Sequence, residues 1–373
     1  MAAIEPVAAA VVAGDRAVDV VAPAYDTMSP DERAAFAQQH PNSYLHVNRS
    51  ADHGAGHPAQ HRRLAATGAD ALELLRNNGA FSPVAAPQLF VQRLVVRGRE
   101  QLSIIGAISS DSDVLIRPHE LTYPGRVQAL VEHFRVTGVM SSPVMVTSRD
   151  DGTAGAGVIA AAGSGEPLVD VELGDGAKLT LWSAGDASLA CDDGLYILDG
   201  HHRVAAAHGA RFRRLLVAWV APEQVHVGAF DRLIDDLPMT PRRFLETLRG
   251  RFRVEAVDDR NSAVPTESGV IGLGVGGSWF RLKPQSSGSE LDAELVQRDI
   301  IESTLEFSGP TDPAIVYRPS GGSMPDAAIT LLIAPVRLST VLDVADRGET
   351  MPPKSTYLVP KLRSGVLVVD CRL

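Results

Sequence analysis

Apolar residues recur along the chain with two periods, and the period assigns the elements. Gln88 to Val96 and Gln101 to Ile108 are short β-rich runs either side of Arg97-Gly98-Arg99-Glu100, which predicts a hairpin. Leu168 to Leu173 and Lys178 to Trp182 predict a second strand pair, and Ser142 to Thr147 and Arg213 to Val220 predict single strands. Helical spacing appears where Leu64, Leu72, Leu74 and Leu75 fall in the run from Arg62 to Asn77, and again from Arg126 to Thr137. Ser29 as N-cap, Pro30 as first helical residue and Glu32 in the first turn predict a helix to about Gln39. Ser43 to Val47 reads as a strand, and Arg149 to Gly165, rich in Gly, Ala and Ser, as a flexible loop or linker.

Later in the chain, Thr240 caps a helix from Pro241 to Arg251, and Gly269 to Lys283 reads as two short strands around a Gly-rich turn. Leu291, Leu295, Ile300 and Leu305 predict a helix from Leu291 to Glu306, and another runs from Leu338 to Arg347. Ala327 to Ala334 and Val366 to Val369 are buried strands by composition. The elements predict an α/β (α+β) fold in three segments: 1–110, a core 111–221 and 222–373, with a composition shift at Ala221-Pro222.

One stretch combines these patterns with chemistry. Leu195 to Leu198 is an apolar strand, Asp199-Gly200 a sharp turn, and His201 to Gly209 an Ala-rich helix. His201, His202 and Arg203 therefore occupy a helix first turn, where unpaired N–H groups and the helix dipole favour anions and disfavour cations. Three potential cations there point to an external anion, phosphate above all. Gly200 would let a phosphate approach the backbone, Arg203 would neutralise it, and Asp199 would hold a metal ion or orient a histidine. Taken alone, the box is also compatible with an ordinary surface turn.

Charge and cysteine usage narrow the classes. The 373 residues carry a formal net charge of -10 at pH 7, which disfavours non-specific nucleic-acid binding while leaving room for a local phosphate site. Cys191 and Cys371 form neither a metal spacing nor a disulfide framework, and no run reaches a membrane span or reads as a signal peptide, so a cytoplasmic location is expected.

Three further stretches bear on chemistry. His119-Glu120-Leu121-Thr122 follows a strand and Pro118, and a carboxylate there can act as a general base; position 123 is Tyr, which excludes the zinc-protease spacing. Lys354, Ser355, Thr356 and Lys361 sit on a proline-stiffened tail and make a phosphate-contact set without a Walker loop. Gly272 to Gly277 precedes a strand-like run, so it reads as a β-turn rather than a dinucleotide loop. In each case a solvated loop or rigid connector is the competing explanation.

These boxes carry a resemblance. Asp199-Gly200-His201-His202-Arg203 after an apolar strand resembles the ParB/sulfiredoxin superfamily. Residues 22–29, Asn42 to Val47, Arg117 to Thr122 and the Met351 to Gly365 tail are similar, in order, to the boxes of a prokaryotic family of unknown function related to the free serine kinases. The resemblance implies a ParB/sulfiredoxin-like core and a phosphotransferase using ATP or ADP with Mg²⁺ on the hydroxyl of serine or a similar small molecule. It implies catalytic roles for Glu120, His119 and Asp199, with Asp199 also the metal ligand. Gly200, His201, His202, Arg203, Lys354, Ser355, Thr356 and Lys361 would bind nucleotide, and Tyr25, Asp26 and Arg232 substrate. A CTP- or ATP-binding switch with little or no hydrolysis is the alternative; nucleic acid and membrane are disfavoured as partners, and a homodimer is compatible. Two positions depart from the family pattern. Asp231 replaces a histidine before Arg232, and Gly125 replaces an acid before Arg126. A sulfiredoxin-like reductase is disfavoured because Gly200 stands where a catalytic cysteine would precede the histidine.

Overall fold

The hairpin predicted at Arg97-Gly98 forms: Phe90–Val96 pairs antiparallel with Arg99–Ser109, and both turn residues take positive φ (51° and 76°). The computed structural model describes residues 2–24, 27–48, 58–110, 116–150, 152–285, 291–310, 312–321 and 326–372. The chain is mixed α/β and forms two units, residues 1–225 with 360–373, and residues 226–359.

In the first unit the hairpin lies within an eight-stranded mixed sheet. Its order is Ile116–Arg117, Leu195–Asp199, Val144–Thr147, Arg214–Trp219, Arg99–Ser109, Phe90–Val96, Lys178–Ser183 and Val169–Glu172. Leu195–Asp199 runs parallel to Ile116–Arg117 and antiparallel to Val144–Thr147, with a register shift between Ile197 and Asp199. That irregularity sits at the point where the strand gives way to the turn. A second sheet orders Phe81–Pro83, Ala9–Val12, Leu367–Asp370 and Val139–Met140, so the C-terminal tail closes back onto the N-terminal segment. The helices Pro58–Asn77, Pro124–Thr137 and His201–Ala210 pack in sequence, the middle one touching both others.

Helix Pro30–Gln39 begins with the capping box that Ser29 and Glu32 predict. Two sequence expectations are corrected. Residues 43–47 hold no strand; Ser43 Oγ accepts the Leu45 N–H at 3.3 Å and a short helix runs Leu45–Asn48. Apolar alternation over five residues does not distinguish a strand from one helical turn when a serine caps it. Residues 149–165 are not a linker, because Thr153–Gly163 is helical. Its small residues serve close packing. A Cβ on Gly155 would lie 2.1 Å from the Trp219 ring, so only glycine lets this helix approach the sheet.

The second unit is built on a six-stranded antiparallel sheet ordered Phe252–Val257, Ser278–Pro284, Ile271–Val275, Ile329–Ile333, Phe230–Ile234 and Ile315–Pro319. Phe244, Phe252, Leu282, Ile300 and Leu331 form part of its core. Gly276 and Gly277 turn at φ 58° and 75° between two paired strands, the β-turn expected there. Thr240 caps Pro241–Leu248 by accepting the Arg243 N–H.

Candidate functional site

The turn after Leu195–Asp199 is made by Gly200 at φ 107°, a conformation that side-chain-bearing residues rarely adopt. A Cβ there would lie 2.9 Å from the Arg203 guanidinium carbon, so glycine also makes room for that side chain. Gly200 is the N-cap of helix His201–Ala210, ten residues long, which ends with Arg211 in the left-handed region.

Arg203 folds back within its own first turn. Its Nη2 donates to Asp199 Oδ2, and its Nη1 to the carbonyls of Ser142, at 2.9 Å, and Pro143. The other carboxylate oxygen of Asp199 accepts from Lys361 Nζ at 3.0 Å, a residue 162 positions away. Both bases are shielded, with the Lys361 side chain 9% and the Arg203 side chain 18% exposed. Burial pushes the Asp199 carboxyl up, but Lys361 and Arg203 outweigh it and hold the group well below the usual carboxylate range. Arg126, half-buried in helix Pro124–Thr137, lies within electrostatic reach of both Asp199 and Arg203. Burial lowers its pKa, as does Arg203, while Asp199 raises it.

The histidines are fixed by backbone donors. The His119 N–H donates to His201 Nε2 at 3.3 Å, and the Tyr123 N–H to His202 Nε2 at 3.0 Å. A ring nitrogen that accepts an N–H carries no proton, so both imidazoles are held neutral, with the proton on Nδ1. The His119 and His201 rings meet edge to face at 4.5 Å, and Tyr123 stacks on His202 at 5.7 Å. Burial pushes His119 down to about 4 and His201 well below the ordinary imidazole range. Of the residues expected to be cations in the first turn, Arg203 is one and His201 is pushed toward its neutral form; the second cation comes from the tail.

The structure therefore gathers His119, Asp199, Gly200, His201, His202, Arg203 and Lys361 into one cluster. Half-buried Glu120 follows His119 directly in the chain. Lys354, Ser355, Thr356 and Arg232 belong to the second unit. There Lys354 Nζ stands 4.8 Å from the centre of the Phe230 ring, and Ser355 Oγ donates to Pro352 O at 2.6 Å. Arg232 is buried in the sheet, donating to Phe230 O at 2.6 Å and lying over Tyr317; its neighbour Asp231 accepts from Ser320 Oγ at 2.6 Å. Tyr25 and Asp26 lie outside the described residues. Sequence reasoning gave no role to Tyr123, Arg126 or the carbonyls of Ser142 and Pro143. The last two could carry no sequence signal, because any residue supplies a carbonyl.

A metal fits this donor set poorly. Both oxygens of Asp199 face cations, and among the described residues no group of three or more His, Cys, Asp and Glu is placed to hold an ion.

A family model described as "Protein of unknown function (DUF1015)" matches residues 4–305. No curated protein matches. Among solved structures, a free serine kinase variant in complex with AMP is similar over 68% of this chain and 87% of its own, at 16% identity and TM-score 0.41. SbnI with C-terminal truncation, from Staphylococcus aureus, aligns over 70% and 85% at 12% identity and TM-score 0.43. A conserved hypothetical protein from Pyrococcus furiosus aligns over 71% and 94% at 16% identity and TM-score 0.38. Among the described residues no helix is long and apolar enough to cross a membrane.

Proposed function

The chain belongs to the DUF1015 family of proteins of unknown function, and we propose that this member is a nucleotide-dependent phosphotransferase acting on the hydroxyl of serine or a similar small molecule. The observation that carries the reading is charge. One carboxylate, Asp199, is shared by Lys361 and Arg203, with Arg126 in electrostatic reach, at the N-terminus of a ten-residue helix. Cationic side chains gathered at a helix N-terminus suit a phosphate. The motif resemblance to the serine-kinase relatives, and with it a ParB/sulfiredoxin-like core, supports the same ligand.

In this reading the Gly200 to Arg203 turn takes the phosphates of ATP or ADP, and Lys361 neutralises charge that develops on the transferred group. Arg203, committed to Asp199 and two carbonyls, positions the turn. Glu120 takes the acceptor hydroxyl proton, with His119 orienting it. The resemblance reserves Tyr25 and Asp26 for the substrate, and Lys354, Ser355, Thr356 and Arg232, in the second unit, are assigned no part at this turn. This reading goes with a cytoplasmic location and is compatible with a homodimer. Mg²⁺ would arrive with the nucleotide rather than on a protein-built site.

Purified protein with ATP or ADP, Mg²⁺ and serine should yield phosphoserine, and Glu120→Gln should abolish the product. Equal product from both proteins would refute the assignment of the base. The saturation of Asp199 by two cations favours one second reading, a CTP- or ATP-binding switch. Tight nucleotide binding, indifferent to Glu120→Gln and without transfer product, would establish that instead.

A further inference from the structure

Helix Pro124–Thr137 begins beside the turn, and it begins without a side-chain cap. Its N-cap is Tyr123, extended at φ -88° and ψ 121°, whose side chain makes no bond to the first turn. Ser, Thr, Asp or Asn is strongly preferred at such a position, because its oxygen accepts an orphan N–H of the helix. Pro124 follows, which favours the extended Tyr123 and removes one of those donors. The helix thus starts on backbone geometry and leaves the tyrosine ring for another use.

That ring is held at the phosphate turn. The Tyr123 N–H donates to His202 Nε2 at 3.0 Å, and the two rings stack at an interplanar angle of 24°. His202 belongs to the first turn of helix His201–Ala210, so the tyrosine lies within a side chain's length of the N–H groups read as the phosphate site. Arg126, in the first turn of the tyrosine's own helix, is in electrostatic reach of Asp199 and Arg203. The starts of two helices therefore adjoin one cationic cluster, and the aromatic pair joins them.

Beside that cationic cluster the surface is apolar. Tyr123 stays 36% exposed, and Leu121, at 59%, is the most exposed large apolar side chain among the described residues. A lone exposed leucine needs no explanation. This one stands two residues from an exposed aromatic ring that is stacked on the phosphate turn. A bare phosphate chain uses the cations and leaves the ring idle. A nucleotide uses both, being an anion joined to a flat base, and base–aromatic stacking asks only for an accessible π-face.

We propose that Tyr123, backed by His202, is the platform on which the base of the bound nucleotide stacks. The assignment rests on the nucleotide reading of the turn and adds the residue that tells a nucleotide from a phosphate chain. Calorimetric titration of the full chain with ADP and with inorganic pyrophosphate separates base from phosphates. ADP should bind at least about tenfold tighter than pyrophosphate. Tyr123→Ala should weaken ADP by about tenfold and leave pyrophosphate within about twofold, whereas a merely structural role would move both alike. Tyr123→Trp keeps a stacking surface, so ADP affinity should stay within about threefold, and its added indole fluorescence should be quenched by ADP and not by pyrophosphate. That readout stands should Tyr123→Ala not fold. Equal wild-type affinity for ADP and pyrophosphate, ADP affinity indifferent to Tyr123→Ala, equal loss of both ligands, or no ADP-specific quenching in Tyr123→Trp would each overturn the platform and leave the phosphate site in place. Binding of neither ligand up to about 10 mM would overturn the nucleotide reading and the platform with it.

Discussion

Acidification should destabilise the first unit through its buried histidines, and the size of the effect follows from their burial. His119 and His133 are 2% and 5% exposed, and burial pushes each down to about 4, against 6.5 for a free imidazole. The sign follows from linkage. The unfolded chain takes up protons below 6.5 while the folded chain refuses them until about 4, so stability is complete above 6.5 and is lost as pH falls through that window. A shift of this size corresponds to about 3 kcal/mol per histidine when the window has been crossed, and to about 2 kcal/mol each at about pH 5. Two such groups would remove about 4 kcal/mol from a total stability of order 5–15 kcal/mol. His201 is shifted the same way and adds to the loss. Urea unfolding at about pH 7.5 and pH 5 measures the difference, and His133→Gln should shrink it by about 2 kcal/mol. The reasoning is refuted if the variant loses as much stability as the wild type, or if the His133 ring resonances titrate near 6.5.

Three shorter predictions address the turn and its support. Lys361→Met removes one of the two cations on Asp199, so ADP affinity should fall by about tenfold, with a shallower salt dependence, while Arg203 keeps the carboxylate paired. Gly200→Ala places a side chain at φ 107° and against the Arg203 guanidinium, which should cost about 1–3 kcal/mol in urea unfolding and weaken ADP binding as the Asp199 pair is displaced. Gly155→Leu drives a side chain into the Trp219 ring and should lower stability by about 1–3 kcal/mol or more, with indole fluorescence reporting the displaced tryptophan.

The strand–turn–helix of the box was legible because each step has a local cause. An apolar run ends at Asp199, Gly200 permits the positive φ, and an Ala-rich stretch continues as helix. The hairpin at Arg97-Gly98 and the cap at Ser29 were legible for the same reason. The partners of the box were not. Lys361 was a candidate by residue type, but only the return of the tail beside Ala9–Val12 brings its ammonium to Asp199. The neutrality of the histidines depends on the N–H groups of His119 and Tyr123, from a segment some eighty residues upstream. Residues 149–165 were misread because Gly and Ala mean flexibility in a solvated linker and close approach in a packed helix. The aromatic surface that decides between them, Trp219, belongs to another strand.

An ion cluster joining a helix turn to a returning tail can serve simply as a clasp, and the charges at this one argue for more than that. Asp199 and Arg203 already balance each other within the turn, and Lys361 is the residue that ties the turn to the tail. Lys361 brings a second positive charge to Asp199 with a side chain only 9% exposed. Arg126 lies within electrostatic reach of the same carboxylate, and burial holds His119 and His201 below the ordinary imidazole range. Against a whole chain of net charge -10, such a gathering of basic side chains is the reverse of what composition alone would place there. A bound di- or triphosphate would be attracted to these side chains, and a chain of net charge -10 would repel long polyanions. The same distribution thus favours a small multiply charged anion over a nucleic acid, and it makes Lys361, rather than the more tightly committed Arg203, the residue whose removal the ligand should feel first.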